Sequence, residues 1–484
     1  MSAAAALVLA AALAGCGTTT YFAGRTLPPS GVANRVLIAV QNPSAFTKGA
    51  LAFVDAYYDV RFAYNSPNSN SSFSISGYAG ALPISIQNLP EEQVGAVYGY
   101  GDGSFTIINY AKESTSGSAS GLNGLSASIF ATRNQAFTFA ADQSAHVLTI
   151  LDKANGGSFP LALPGVYRVS VNTGGSVALA FVQNSNYAYY PVKLTAAQTV
   201  AYSGGASTWP KAAVDCEPQN VPVWCLFQAQ SPDKADPSNA KNPNLPPLYT
   251  GAPLVFDRPV KAVFSADGGT VYVLNCGPEC GGTNASVSLL PAAPMIYTPG
   301  QQSGQLPKTG TVPNIPTPGG ASNALVASST LYVTGQQLQS DGLFGGYLTV
   351  VNLLNNTAAN PVSVSDGEPG AVSRMILADD STLWIGMTKC TNGERAAHNL
   401  PDGCLTMYNT STNSVTLLES YLGDLTGIAA VTNLHKIYVA QGGQVYIYST
   451  KDGSSIDNQY VTVTGTASDV AYMDAVSDDD NTVY

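Results

Sequence analysis

The sequence predicts an all-β chain folded as a β-propeller of seven or eight blades, with eight the favoured count. Three observations carry this. Charged residues make up only 11% of 484 positions, while Gly occurs 47 times and Tyr 26 times. A surface made polar by hydroxyls and amides, rather than by Lys and Glu, suits strands better than helix faces. Short apolar runs alternate with period two between Gly, Asn and Asp turns, and no convincing amphipathic helix is present. Finally, a unit of about three or four strands recurs, and units of about 40–60 residues are the size of propeller blades.

The elements follow in chain order. Residues 3–13, AAAALVLAAAL, are uncharged and apolar but shorter than the roughly 20 residues that span a bilayer. They end in Leu13-Ala14-Gly15-Cys16, which resembles the lipobox of bacterial lipoproteins. The resemblance implies that residues 1–15 are a signal peptide and that Cys16 is acylated. Residues 16–34 then become a Thr/Pro/Gly tether, and the protein is held to a membrane of the bacterial cell envelope, periplasmic or surface-facing. No Lys or Arg precedes the apolar run, a departure from the family's basic start. The alternative is a plain secretory signal with a chance cysteine.

Residues 35–484 read as one propeller domain. RVLIAVQN and LAFVDAYYD open it, followed by VGAVYGYGDGSFTIINY, by NQAFTFAADQ with HVLTILDKANG, and by GSVALAFVQN with YAYYPVKL. The second half is clearer. VFSADGGTVYVLN, NALVASSTLYVTG, MILADDSTLWIGM and GIAAVTNLHKIYVAQ each lead to a third alternating run, and their aromatics Tyr272, Tyr332, Trp384 and Tyr438 align. A small twisted sheet cannot bury both faces alone, whereas radial stacking buries each against a neighbour. The C-terminal SDVAYMDAVSDDDNTVY holds a first strand and the start of a second, so it is expected to complete the blade begun near residue 35. NTVY then duplicates RVLI, which keeps seven blades open beside eight. The polar stretches 65–73 and 114–121 are expected loops. Tyr332-Val333-Thr334-Gly335, Asp267-Gly268-Gly269 and Tyr272-Val273 resemble the YVTN-type propellers, related to the lactonase-like and quinoprotein-like groups. That resemblance covers about 320–475 well and 83–204 loosely. It implies the fold and, through the lactonase-like group, a hydrolase acting on a lactone or sugar derivative in the central channel. No catalytic residue of that family finds a matching motif here.

An insertion at about 205–258 interrupts the repeat. It carries Trp209 and Trp224, the candidate ligand-binding residues, beside Cys216 and Cys225. It serves either recognition or the capping of one channel end. With Cys16 set aside, six cysteines fall into local pairs: Cys216 with Cys225, Cys276 with Cys280, and Cys390 with Cys404. Disulfides in an oxidising compartment explain them better than zinc, because the pairs lie far apart in sequence and only three histidines are present.

Catalytic motifs are missing. His146, His398 and His435 have no partner at metal or triad spacing. Ser231-Pro232-Asp233-Lys234 sits among prolines that deny it the helix its spacing requires. Asp478-Asp479-Asp480 reads as a solvated turn. No cofactor, metal or catalytic residue is therefore expected. The net charge of −11 excludes nucleic acid, since no basic patch is available to neutralise phosphates. The sequence favours a binding or scaffold module with an envelope protein as partner. The alternatives are the lactonase-type hydrolase and a carbohydrate or cell-wall binder.

Overall fold

The computed structural model describes residues 25, 27–62, 72–119, 121–210, 212–232, 251–367, 369–391, 394–418, 422–456 and 460–477. Cys16, most of the tether, the loop at 65–71, the 233–250 part of the insertion and the terminal NTVY lie outside the described residues.

Eight antiparallel sheets form a ring. Blade 1 joins the chain ends: the C-terminal strand Thr466–Tyr472 pairs with Arg35–Gln41, which pairs with Gly49–Asp55. Blades 2 to 8 follow in sequence, with innermost strands Pro83–Leu89, Ser126–Ala131, Val166–Val171, Pro259–Phe264, Asn323–Ala327, Ala371–Ala378 and Leu425–Val431. Eight blades, closed by joining the ends, is the architecture expected from the repeat. Eight apolar clusters bridge successive blades around the whole ring. The aligned aromatics lie in them, with Trp384 and Tyr438 fully buried.

Two expectations are corrected. The stretch at 114–121 was expected as a loop, yet Ser114–Ala119 is the outer strand of blade 2, paired with Ser104–Asn109. An outer edge needs no apolar alternation, because solvent and one ladder satisfy it. The chain also makes short helices. In the longest of those described, Ala196–Tyr202, the Thr195 hydroxyl accepts from the Gln198 N–H while the Gln198 side chain accepts from the Thr195 N–H. This reciprocal capping supports a helix of about two turns, too short for periodicity to reveal. No helix among the described residues is long and apolar enough to cross a membrane.

The three local cysteine pairs are disulfides. Cys216 and Cys225 face each other across an outer hairpin of blade 4, and Cys390–Cys404 closes the loop between the second and third strands of blade 7. In the chain-entropy account, closing a loop of about 15 residues contributes about 3 kcal/mol. Replacing Cys390 and Cys404 together by alanine is therefore expected to lower stability by about 2–3 kcal/mol in urea unfolding. A loss below about 0.5 kcal/mol would show that blade 7 is held by strand pairing alone.

Candidate functional site

The innermost strands enclose a central cavity of about 890 Å³, within the few-hundred to thousand Å³ range of small-molecule sites. Its chemistry comes from one repeated irregularity. Seven of the eight inner strands carry a bulge near their start; in blade 4, for instance, pairing skips from Val166 to Arg168. A bulge adds one residue, bends the strand and re-aims the next side chain. The post-bulge residues are Ser85, Ser128, Arg168, Lys261, Arg374, Gly427 and Asp469 in blades 2, 3, 4, 5, 7, 8 and 1. In blade 6, which has no bulge, Asn323 holds the matching place. Of these eight, all but Gly427 and Asp469 line the cavity.

The ring is chemically lopsided. Blades 4, 5 and 7 contribute Arg168, Lys261 and Arg374, although the chain has only 20 basic residues against 31 acidic ones. Lys261 is 8% exposed, and its Nζ donates to Asn323 Oδ1 at 2.7 Å. Burial, then the fields of Arg168 and Arg374, hold its ammonium well below the ordinary lysine range. Arg168 is lowered chiefly by burial but stays charged, as a guanidinium does in proteins. Its Nη1 lies 3.5 Å from the Ser322 carbonyl. On the far side, Asp469 is fully buried and accepts from the Ile86 N–H at 2.8 Å. A Cβ at Gly427 would come within 2.5 Å of the Asp469 carboxylate, so that position is left to glycine.

The disulfide-clipped turn Cys276–Cys280 brings one acid towards this cluster. Glu279 Oε2 accepts from the Gln336 N–H at 2.9 Å. Burial pushes its carboxyl up to about 7, against the pull of the Gln336 N–H, Ser322 and Arg168. A carboxyl whose folded value is raised contributes stability that is full at low pH and is lost as pH rises through the folded value. Wild type minus Glu279→Gln should therefore lose stability between about pH 4.5 and pH 7. The difference is about 3 kcal/mol at most, measured by urea unfolding at pH 5 and pH 8. A pH-independent difference would place the carboxyl in an ordinary, solvated setting.

The residues singled out by sequence are elsewhere. Trp224 is fully buried between blades 3 and 4, in contact with Phe137, Phe139 and Tyr297, and its Nε1 donates to Asp152 at 3.2 Å. It offers no face to a ligand. Trp209 is half-buried at the blade 4–5 core, with Nε1 donating to the Gln219 carbonyl at 3.1 Å. The described part of the insertion adds the fourth and fifth strands to the outer edge of blade 4, away from the inner strand that faces the cavity. None of the three histidines lines the cavity, and no group of three or more metal-ligating side chains occurs among the described residues. The sequence reading passed over Arg168, Lys261, Arg374 and Glu279. Its available signal was a lone cation inside the apolar runs GVYRVSV, PVKAVF and AVSRMIL.

No protein-family model and no curated protein matches the sequence. Solved structures with a similar ring include the dihydro-heme d1 dehydrogenase NirN (9% identity, TM-score 0.49, covering 93% of this chain and 79% of that one). A candidate 6-phosphogluconolactonase from Bacteroides uniformis aligns at 10% identity and TM-score 0.47, over 91% and 99%. Sqt1 of Saccharomyces cerevisiae aligns at 12% and 0.47, over 80% and 86%. These likenesses are to proteins of varied function.

Proposed function

We propose that the protein is an exported, lipid-anchored propeller that binds a small organic anion in its central channel. The supporting observation is the convergence of Arg168, Lys261 and Arg374 on one cavity of an acidic chain. A guanidinium fork matches a carboxylate or phosphate, so a cavity lined by two arginines and a lysine favours such a ligand. Binding stays the primary reading, with its seat in the channel rather than on the insertion, which extends an outer edge. A lactonase-type hydrolase is the second reading, favoured by a carboxyl near neutrality at the Arg168 side of the ring.

The anchor fits the same picture. Arg25, the first described residue, donates to the carbonyls of Ala475 and Pro90 at 3.0 and 2.7 Å, both just past the ends of inner strands. Arg168, Lys261 and Arg374 lie near the starts of theirs, at the opposite mouth. Nine residues from Cys16 to Arg25 reach at most about 30 Å. An acylated Cys16 thus puts the Arg25 face towards the membrane and the basic mouth away from it. Cys16→Ser is expected to release the protein from the membrane fraction.

Calorimetric titration with citrate, pyruvate and inorganic phosphate tests the channel. Each of Arg168→Gln and Arg374→Gln should weaken binding of the preferred anion by about 10- to 100-fold, as loss of a charge-assisted hydrogen bond does. An unchanged affinity in the double variant would dismiss the site.

A further inference from the structure

The turn that carries Glu279 is short, glycine-rich and closed by its own disulfide. Cys276-Gly277-Pro278-Glu279-Cys280-Gly281-Gly282 places three glycines in seven residues, and Gly277 and Gly281 both adopt positive φ. Its 3₁₀ turn, Gly277–Cys280, has no side-chain cap at Cys276. Such a segment keeps wide backbone freedom unless a covalent bond restricts it. This disulfide closes the smallest loop of the three, with a sequence separation of 4 against 9 and 14, so it restricts the unfolded chain least. It also differs in access. Cys216, Cys225, Cys390 and Cys404 are fully buried, whereas Cys280 is partly exposed and only its partner Cys276 is buried. Attack by an external thiolate needs a reachable sulfur, and exposed disulfides are the labile ones. What this clip holds is a contact between blades 5 and 6. Gln336 lies two places past Thr334, where pairing with Asn323–Ala327 ends, and its N–H donates to Glu279 Oε2 at 2.9 Å. The carboxylate thus stands in for a missing ladder acceptor.

We propose that Cys276–Cys280 is a site of thiol–disulfide exchange with a dithiol reductant, and that opening it withdraws Glu279 from Gln336 and leaves Arg168 to a ligand anion. The last step rests on the anion-binding reading of the channel. A thiolate of the reductant attacks the Cys280 sulfur. The bond to Cys276 breaks, its electron pair leaves on the Cys276 thiolate, and that thiolate takes a proton. The reductant's second thiol, as thiolate, then displaces Cys280 from the mixed disulfide, and Cys280 is protonated in turn. The protein gains two electrons and two protons, and the reductant ends as a disulfide. Attack at Cys280 suits the site, because the buried Cys276 needs only to leave. In the closed form Glu279 is a built-in carboxylate at the Arg168 side of the ring. Ser322 links the two, its hydroxyl donating to Glu279 and its carbonyl lying 3.5 Å from Arg168 Nη1. Glu279 therefore competes with a ligand carboxylate for the same guanidinium, and relaxing the turn removes the competitor. Reoxidation restores the clip.

The test uses the whole folded protein with a limiting amount of dithiothreitol, followed by N-ethylmaleimide and peptide mapping by mass spectrometry. Cys276 and Cys280 should be alkylated at least about tenfold faster than the other four paired cysteines. Hydrogen exchange at the Gln336 amide should accelerate about tenfold on reduction, since Glu279 is its acceptor. The double variant Cys276→Ser, Cys280→Ser reproduces the open form without reductant, and circular dichroism verifies its fold. Calorimetry at pH 8 with citrate, pyruvate and inorganic phosphate should show the preferred anion bound about 5- to 10-fold more tightly by that variant than by the oxidised protein. Glu279→Gln should bind as tightly as the open form and gain nothing from reduction. Simultaneous opening of all three bridges, or earlier opening of another, overturns the exchange site. A Gln336 amide equally protected in both forms overturns the release of Glu279. Affinity that is present but equal in the oxidised and open forms refutes the gating and leaves the channel site standing. No binding in either form refutes the channel reading and the gating together, while the alkylation map and the Gln336 amide still decide the exchange.

Discussion

Arg35→Ala is expected to lower the stability of the ring by about 3–5 kcal/mol in urea unfolding, the penalty for breaking a buried, hydrogen-bonded charge pair. Arg35 is 3% exposed and stands where the two chain ends meet. Its Nε and Nη2 donate to the two oxygens of Asp474 at 3.1 and 2.7 Å, and its own N–H donates to the same carboxylate at 2.8 Å. Nη1 reaches Glu113 Oε1 at 2.9 Å and the Tyr110 carbonyl at 2.7 Å. One guanidinium thus ties the first strand of blade 1, the segment after its last strand, and blade 2. Removing it strands two carboxylates, of which Asp474 is already raised by burial above the usual carboxylate range. Replacing Arg35, Asp474 and Glu113 together by apolar residues should recover much of the loss, because a dry patch without charges has no unpaired ion to desolvate. A loss below about 1 kcal/mol in Arg35→Ala would show that strand pairing alone closes the ring.

The blade count and the closure were legible because both rest on periodicity. Second strands carry Tyr272, Tyr332, Trp384 and Tyr438 at equivalent places, and RVLIAVQ needs an inner partner that only the C-terminal TASDVAY supplies. The N-terminal half is fainter for a physical reason. At the same structural place only blade 3 has an aromatic, Phe139, while the other three blades have Leu37, Ala96 and Leu179, which are buried but mark nothing. The cationic mouth was not legible. Whether a residue three places into a strand faces the channel depends on a bulge, and a one-residue shift reverses its face. In PVKAVF the lysine reads as an edge cation on alternation alone; only the skipped Val260 turns it into the cavity. Glu279 was hidden differently, since the cysteine spacing announces a clip but not which side chain the clip presents.

Trp224→Ala is expected to lower stability by about 3–5 kcal/mol, as large-to-small changes of buried aromatics do, while leaving anion affinity in the folded protein unchanged. The two effects separate a core residue from a ligand platform, the role its place in the insertion suggested. Its ring meets Phe137 edge-on at 5.5 Å and Phe139 at 6.3 Å, and Lys193 Nζ lies 5.9 Å above it. Lys193 also pairs with Asp152 at 2.5 Å, the carboxylate that accepts the indole N–H. Truncation therefore opens a cavity and leaves buried Asp152 with one donor fewer, two penalties that act together. Trp224→Phe fills most of the volume but restores no donor, so its loss of about 1–3 kcal/mol measures the hydrogen bond and residual misfit. Trp209→Ala, at a half-buried site, should fall near the typical point-mutant value of about 1 kcal/mol. If instead Trp224→Ala kept its stability and lost binding, recognition would have to lie on the outer edge of blade 4, and the basic channel would need another explanation.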